Sequence, residues 1–192
     1  MANFIKSVIV ALTGVMLGLA ATWLSIEKGH GFGAVRAGPW IGWPRAGSPS
    51  ADPYARAAIS RTGEVPLSLA EGLSFQAHED SAGQPLQRNC VYTIEPPIPV
   101  ARYWSLSVST PDGAALSNDF DRSGITSSEI IRSGSGTFKI VMAQGVQPGN
   151  WLPLDSTGPF VLVLRLYDTP VSAATSALRA SDMPAIKRGA CA

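Results

Sequence analysis

Hydrophobic positions follow two regimes along this chain. Between Lys6 and Glu27 the twenty residues 7–26, opening at Ser7 and closing at Ile26, carry no charge (SVIVALTGVMLGLAATWLSI). A helix of that length, rising about 1.5 Å per residue, spans the roughly 30 Å hydrocarbon core of a bilayer. The run shows no amphipathic striping, so it reads as a membrane-crossing segment rather than a buried soluble helix. Lys6 and the α-amino group precede it, while Glu27 and Lys28 behind it cancel. Cationic flanks stay cytoplasmic, which puts the amino end inside and the remainder outside. Trp23 fits an interfacial aromatic near the outer end. A cleaved signal peptide is the alternative: Gly18 and Ala20 supply small residues for a cut before Ala21, although the apolar run continues through Trp23, Leu24 and Ile26. Either reading exports the rest of the chain. The expected address is single-pass in the inner (cytoplasmic) membrane, with the C-terminal domain in the periplasm.

Residues 28–51 lose the pattern altogether. Glycine is frequent, and Pro39, Pro44 and Pro49 lead up to Pro53. Such a segment is not expected to hold a regular helix or a central strand, and it reads as a spacer. Trp40 and Trp43, within GPWIGWP, are expected to lie extended against the domain or the headgroups. Asp52-Pro53 then opens a short helix, with Asp52 as N-cap and Pro53 in the first turn. Tyr54, Ala57, Ala58 and Arg61 would form one face, and Gly63 would end it.

Beyond that helix the period becomes two. Leu73, Phe75 and Ala77 alternate with Ser74, Gln76 and His78. Trp104, Leu106 and Val108 alternate with Tyr103, Ser105, Ser107 and Ser109. Phe138, Ile140 and Met142 alternate with Thr137, Lys139 and Val141. These spacings predict half-buried strands, with further strands over 89–94 and 127–132. Residues 160–167 (FVLVLRLY) are almost continuously apolar, as in a central strand covered on both faces. Pro111-Asp112-Gly113 is turn chemistry, and residues 133–136 (SGSG) suit a hairpin. The tail after Pro170 is expected to be weakly helical at best. The predicted class is mainly β: an antiparallel, jelly-roll-like β-sandwich over 52–192, behind a transmembrane anchor or signal segment at 1–27, the 28–51 spacer and a short helix.

Charge narrows the partners. Lys and Arg total 15 and Asp and Glu 14. One cation, Lys6, precedes the apolar run, so the remainder is neutral. That balance speaks against nucleic-acid binding, which needs a concentrated basic footprint. Cys90 and Cys191 are the two cysteines, with no CxxC. In an oxidising compartment they are expected to form one disulfide closing a loop of about 100 residues, which contributes about 4.7 kcal/mol in the chain-entropy picture. Two separate buried thiols are the other reading.

Candidate chemistry is sparse. His30 and His78 lack metal-ligand spacing. Residues 118–124 (NDFDRSG) begin like a calcium loop, but Ile130 stands where the closing glutamate belongs, and no metal is expected. There is no G-x-S-x-G elbow, no phosphate-binding glycine loop and no cofactor motif. Scattered carboxylates leave glycoside cleavage open. Strand parity sets Val161, Val163, Arg165 and Tyr167 on one face, and a guanidinium on a covered strand needs a partner. One expectation is a salt bridge to Asp168 or Asp155. The other is a small polar pocket formed by Asn150, Trp151, Arg165 and Tyr167, suited to a neutral or anionic small ligand such as a sugar.

Three blocks carry a resemblance. Residues 101–106 (ARYWSL), 148–153 (PGNWLP), and Gly158-Pro159-Phe160 running into Leu164-Arg165-Leu166-Tyr167-Asp168 resemble the family called domain of unknown function 1214. Its relatives come in a long layout, with another domain ahead of this one, and a short exported layout with an N-terminal membrane segment. The GPW, WP and DPYARA elements are similar to the short type. The resemblance implies a β-sandwich of jelly-roll character and a bacterial origin. It implies no established activity and no catalytic residues.

The leading expectation is a non-enzymatic, membrane-anchored envelope accessory or small-ligand and glycan-binding module. It would need no cofactor and would engage the membrane through its N-terminal helix. A periplasmic hydrolase or lyase acting on glycan or small acid substrates is the alternative. An envelope protein partner meeting the chain at Trp40 and Trp43 is a third possibility.

Overall fold

In the computed structural model, which describes residues 2–27, 33–62, 65–155 and 157–192, the uncharged run forms helix α1 (Ala2–Glu27). Its segment Asn3–Ser25 has a mean hydropathy of 2.0 and is long and apolar enough to cross a membrane. The hydroxyls of Ser7, Thr13 and Ser25 donate to the carbonyls of Asn3, Ile9 and Ala21, four residues back. These three hydroxyls are thus satisfied within the helix, as a hydrocarbon surrounding demands.

Among the described residues ten strands build two sheets. The larger has the order β1 (Val35–Ala37), β2 (Trp40–Gly42), β3 (Gly72–Ala77), β9 (Val161–Tyr167), β5 (Tyr103–Ser109), β6 (Gly124–Thr126). The smaller has the order β10 (Ala185–Cys191), β4 (Cys90–Glu95), β7 (Ile140–Ala143), β8 (Asn150–Pro153). All pairs are antiparallel except β7 with β8, which is parallel. One hydrophobic core joins the two inner faces: Leu73, Phe75, Trp104, Leu106, Leu162, Leu164 and Leu166 from the larger sheet meet Tyr92, Ile94, Ile140, Met142, Leu152 and Ile186 from the smaller. The alternation read from the sequence is the alternation that fills this core.

Several expectations are corrected. Part of the 28–51 stretch expected as a spacer is built into the larger sheet. Gly38, at φ 62, and Pro39 make a two-residue turn, and Ala37 pairs with Trp40 across it. A positive-φ glycine at the first turn position is what a tight hairpin wants, so the prolines punctuate this segment without preventing strands. Trp40 is fully buried and donates its indole N–H to the Pro184 carbonyl at 2.8 Å. It is a core residue and offers no partner contact.

Helix α2 (Pro53–Thr62) starts as expected, with Asp52 Oδ1 accepting from the N–H groups of Tyr54 and Ala55 at 2.9 and 3.2 Å. Among its described side chains, however, the buried ones are Ala55 and Ile59, and Tyr54 is exposed. The branched aliphatic side chain of Ile59 takes the buried place, while the amphipathic phenol stays wet. Gly63 and His30 lie outside the described residues.

Residues 127–132 are not a strand. Glu129 Oε2 accepts from the Thr126 N–H at 3.1 Å and curls the chain into a turn directly after β6. The strand expected from Thr137 begins only at Ile140. The tail after Pro170 makes three short 3-10 turns and then β10, antiparallel to β4. Gly72 (φ 157) opens β3 so close to its neighbour that a Cβ would lie 2.0 Å from the Leu166 carbonyl oxygen, so no other residue fits there.

Candidate functional site

The outer face of the larger sheet carries the polar side chains that its core-facing alternation leaves over. On β9, Leu162, Leu164 and Leu166 point inward; Val161 and Val163 on the other side are also buried, and Arg165 and Tyr167 are half-buried. Antiparallel pairing brings Ser74 of β3 and Ser105 of β5 to either side of Arg165. One residue pair along, Gln76 and Ser107 flank Val163. Arg165 Nη1 donates to Ser107 Oγ at 3.4 Å, a long contact. Tyr167 meets Tyr103 across the strands with ring centroids 5.7 Å apart.

A groove of 560 Å³ runs over this surface. Gln76, Ser107, Val163, Arg165 and Tyr167 line it, together with His78 and with Pro111 and Gly113 of the turn after β5. The two carboxylates considered for Arg165 serve other guanidinium groups. Asp168 pairs with Arg102 at 3.7 Å and Asp155 with Arg88 at 3.3 Å.

The four residues expected to share a pocket are divided between the sheets. Arg165 and Tyr167 stand together in the groove. Asn150 and Trp151 lie on β8 of the smaller sheet. Trp151 is buried, donates its indole N–H to the Ala143 carbonyl at 3.0 Å, and meets Phe120 edge-on at 4.9 Å. Asn150, 7% exposed, accepts from the Ile131 N–H at 2.7 Å and donates to the carbonyls of Ile131 and Lys139 at 2.8 and 3.0 Å. It fastens the 131–139 loop to β8. Asn150→Ala leaves these part-buried backbone groups without that partner and is expected to cost about 1 kcal/mol or more, read as a lowered urea midpoint. An unchanged midpoint would show the loop is held by something else.

Sequence reasoning missed Gln76 and Ser107 as companions of Arg165. The signal was partly there: Ser105, Ser107 and Ser109 alternate with a core triplet, so all three had to point outward. What the sequence withheld was which strands lie beside β9.

Cys90 and Cys191 form a disulfide across 101 positions, which points to an oxidising compartment. Among the described residues no group of three or more His, Cys, Asp or Glu is placed to hold a metal ion. The loop at 118–124 is organised by its own Asn118, whose Oδ1 accepts from the N–H groups of Phe120 and Arg122 and whose Nδ2 donates to the Arg122 carbonyl. Beside the groove, Asp112 sits on the exposed turn. The Thr110 hydroxyl and its own backbone amide hold its carboxyl below the ordinary value.

Comparison with known proteins places the fold. The VPA0106 protein from Vibrio parahaemolyticus is similar in structure, with a TM-score of 0.56 and 22% identity over 73% of this chain and 36% of that one. An uncharacterized protein from Burkholderia cenocepacia overlaps more loosely, with a TM-score of 0.44 and 15% identity over 89% of this chain and 49% of that one. This chain therefore spans less than half the length of either protein. No functionally curated protein matches it. The family described as "Protein of unknown function (DUF1214)" matches residues 71–171, which hold β3 to β9 and with them Gln76, Ser107, Val163, Arg165 and Tyr167 of the groove. The chain belongs to the domain of unknown function 1214 family.

Proposed function

We propose that this protein is a membrane-tethered binding module of the bacterial envelope, holding a hydroxyl-rich small ligand, such as a short glycan, in the groove over β3, β9 and β5. In this reading α1 anchors the chain in the cytoplasmic membrane with Lys6 inside, and the sandwich stands in the periplasm. The observation that carries it is Arg165 with Gln76 and Ser107 one residue pair along, on three adjacent strands lining a 560 Å³ groove. A guanidinium offers only donors, hydroxyls and an amide offer both donors and acceptors, and Val163 and Tyr167 add apolar surface. That mixture complements a ligand whose own hydroxyls alternate with CH faces.

A hydrolase or lyase is the weaker reading. Glycoside cleavage uses two carboxyl groups roughly 5–10 Å apart across the scissile bond. No Asp or Glu stands among the described lining residues of the groove. Asp112 nearby favours its ionised form, the wrong state for a general acid.

Calorimetric titration of the full chain in lipid nanodiscs with envelope-type oligosaccharides tests the proposal. Arg165→Ala is expected to weaken binding by roughly tenfold or more, since hydrogen bonds to a charged group are worth about 1.5–3 kcal/mol. Ser107→Ala, which removes only the hydroxyl, should weaken it by a smaller factor and guards against misfolding of the arginine variant. Absence of binding to any member of the series, or turnover of one, would overturn it.

A further inference from the structure

A second recess, unrelated to the groove, opens at one end of the smaller sheet. β4 ends at Glu95, β7 begins at Ile140 opposite Ile94, and β8 begins at Asn150 opposite Ile140. The segments attached to these three ends therefore meet: Pro96 and Pro97 after β4, the 131–139 loop before β7, and Pro148 and Gly149 before β8. They border an open recess of 700 Å³.

Its walls are apolar and its charge is one-sided. Pro96, Pro97, Ile131, Phe138 and Pro148 supply hydrocarbon surface, and Ile131 is 66% exposed. Phe138 is held from behind by Trp104, with ring centroids 5.8 Å apart and planes at 18°. Arg132 lies 4.9 Å from the centroid of the Phe138 ring and donates Nη1–H to the Gly136 carbonyl at 3.3 Å. Lys139 stands on the same loop. Glu95, the acidic residue of the lining, is already engaged by Lys187 at 2.6 Å. Arg132 and Lys139 enter no ion pair among the described residues. Two uncompensated cations thus face apolar walls, on a loop whose position Asn150 fixes through both its ends.

We propose that this recess binds an amphipathic anion: a carboxylate whose apolar body lies against Phe138 and the prolines while Arg132 and Lys139 receive its charge. Apolar walls lower the local dielectric and strengthen the attraction to both cations. The planar guanidinium, with its aliphatic stem along the ring, can pair with a carboxylate through two N–H groups.

Ligand-observed NMR and calorimetry on the full chain in nanodiscs provide the test, with three probes: 4-phenylbutyrate, its neutral amide, and acetate. The proposal expects binding of 4-phenylbutyrate and a loss of roughly tenfold or more for each of the other two, which lack the charge or the body. The double variant Arg132→Gln with Lys139→Gln should lose the same factor toward 4-phenylbutyrate. Both side chains are exposed, so its unfolding midpoint should match wild type, and Phe138→Leu gives an independent variant that removes the ring but keeps the charges. Binding of the amide as tight as the acid, acetate as tight as 4-phenylbutyrate, no binding at all, or full affinity in the double variant would each overturn the proposal.

Discussion

Replacing Cys90 and Cys191 together by alanine is expected to lower the stability of the domain by about 2–5 kcal/mol, or roughly 5–15 °C in Tm. The bond closes a loop of 101 positions, so it excludes a large share of unfolded conformations. The folded side adds a local reason. On β10 only Ile186 is deeply buried, and the pairing with β4 shifts register between Arg188 and Cys191. Past Ile186 the strand brings almost nothing to the core, and its end is tied by the disulfide and by two hydrogen bonds between Asn89 and Ala192. Thermal unfolding of oxidised and reduced protein, side by side, measures the effect. Identical midpoints would mean the bond constrains neither state.

Trp40→Ala is expected to cost about 3–5 kcal/mol, the range for truncating a fully buried large aromatic side chain. The indole fills the interior between β2 and the chain before β10, and its N–H satisfies the Pro184 carbonyl. Truncation leaves a cavity and an unmatched buried carbonyl together. Denaturant unfolding followed by the fluorescence of the other tryptophans gives the difference directly. A loss under about 1 kcal/mol would mean that the β1–β2 hairpin is peripheral to the fold and that the domain begins after it.

Much of this fold was legible because burial imposes a period. The core triplets Leu73/Phe75/Ala77 and Trp104/Leu106/Val108, and the run 160–167, read as strands and are strands, since each presents a continuous inward row. The N-cap at Asp52 was legible for a local reason, because a carboxylate before a helix-starting proline has few other uses. The elements that escaped are those held by distant partners. β1 and β2 are three residues each and exist because β3 offers an edge and the buried Trp40 ties β2 to the core. β10 has one core residue and exists because β4 and a disulfide receive it. The same limit governed the site. Parity put Arg165 and Tyr167 on one face correctly, whereas Asn150 and Trp151 were grouped with them on chemical character, which says nothing of which sheet a strand joins.

The early start of the larger sheet has a mechanical consequence. Between the end of α1 at Glu27 and the first strand residue, Val35, the chain advances only eight residues. At no more than about 3.6 Å each, that leash reaches roughly 30 Å. Under the proposed anchoring of α1, the sandwich would stay within that distance of the lipid and meet partners anchored in the same membrane at high effective concentration.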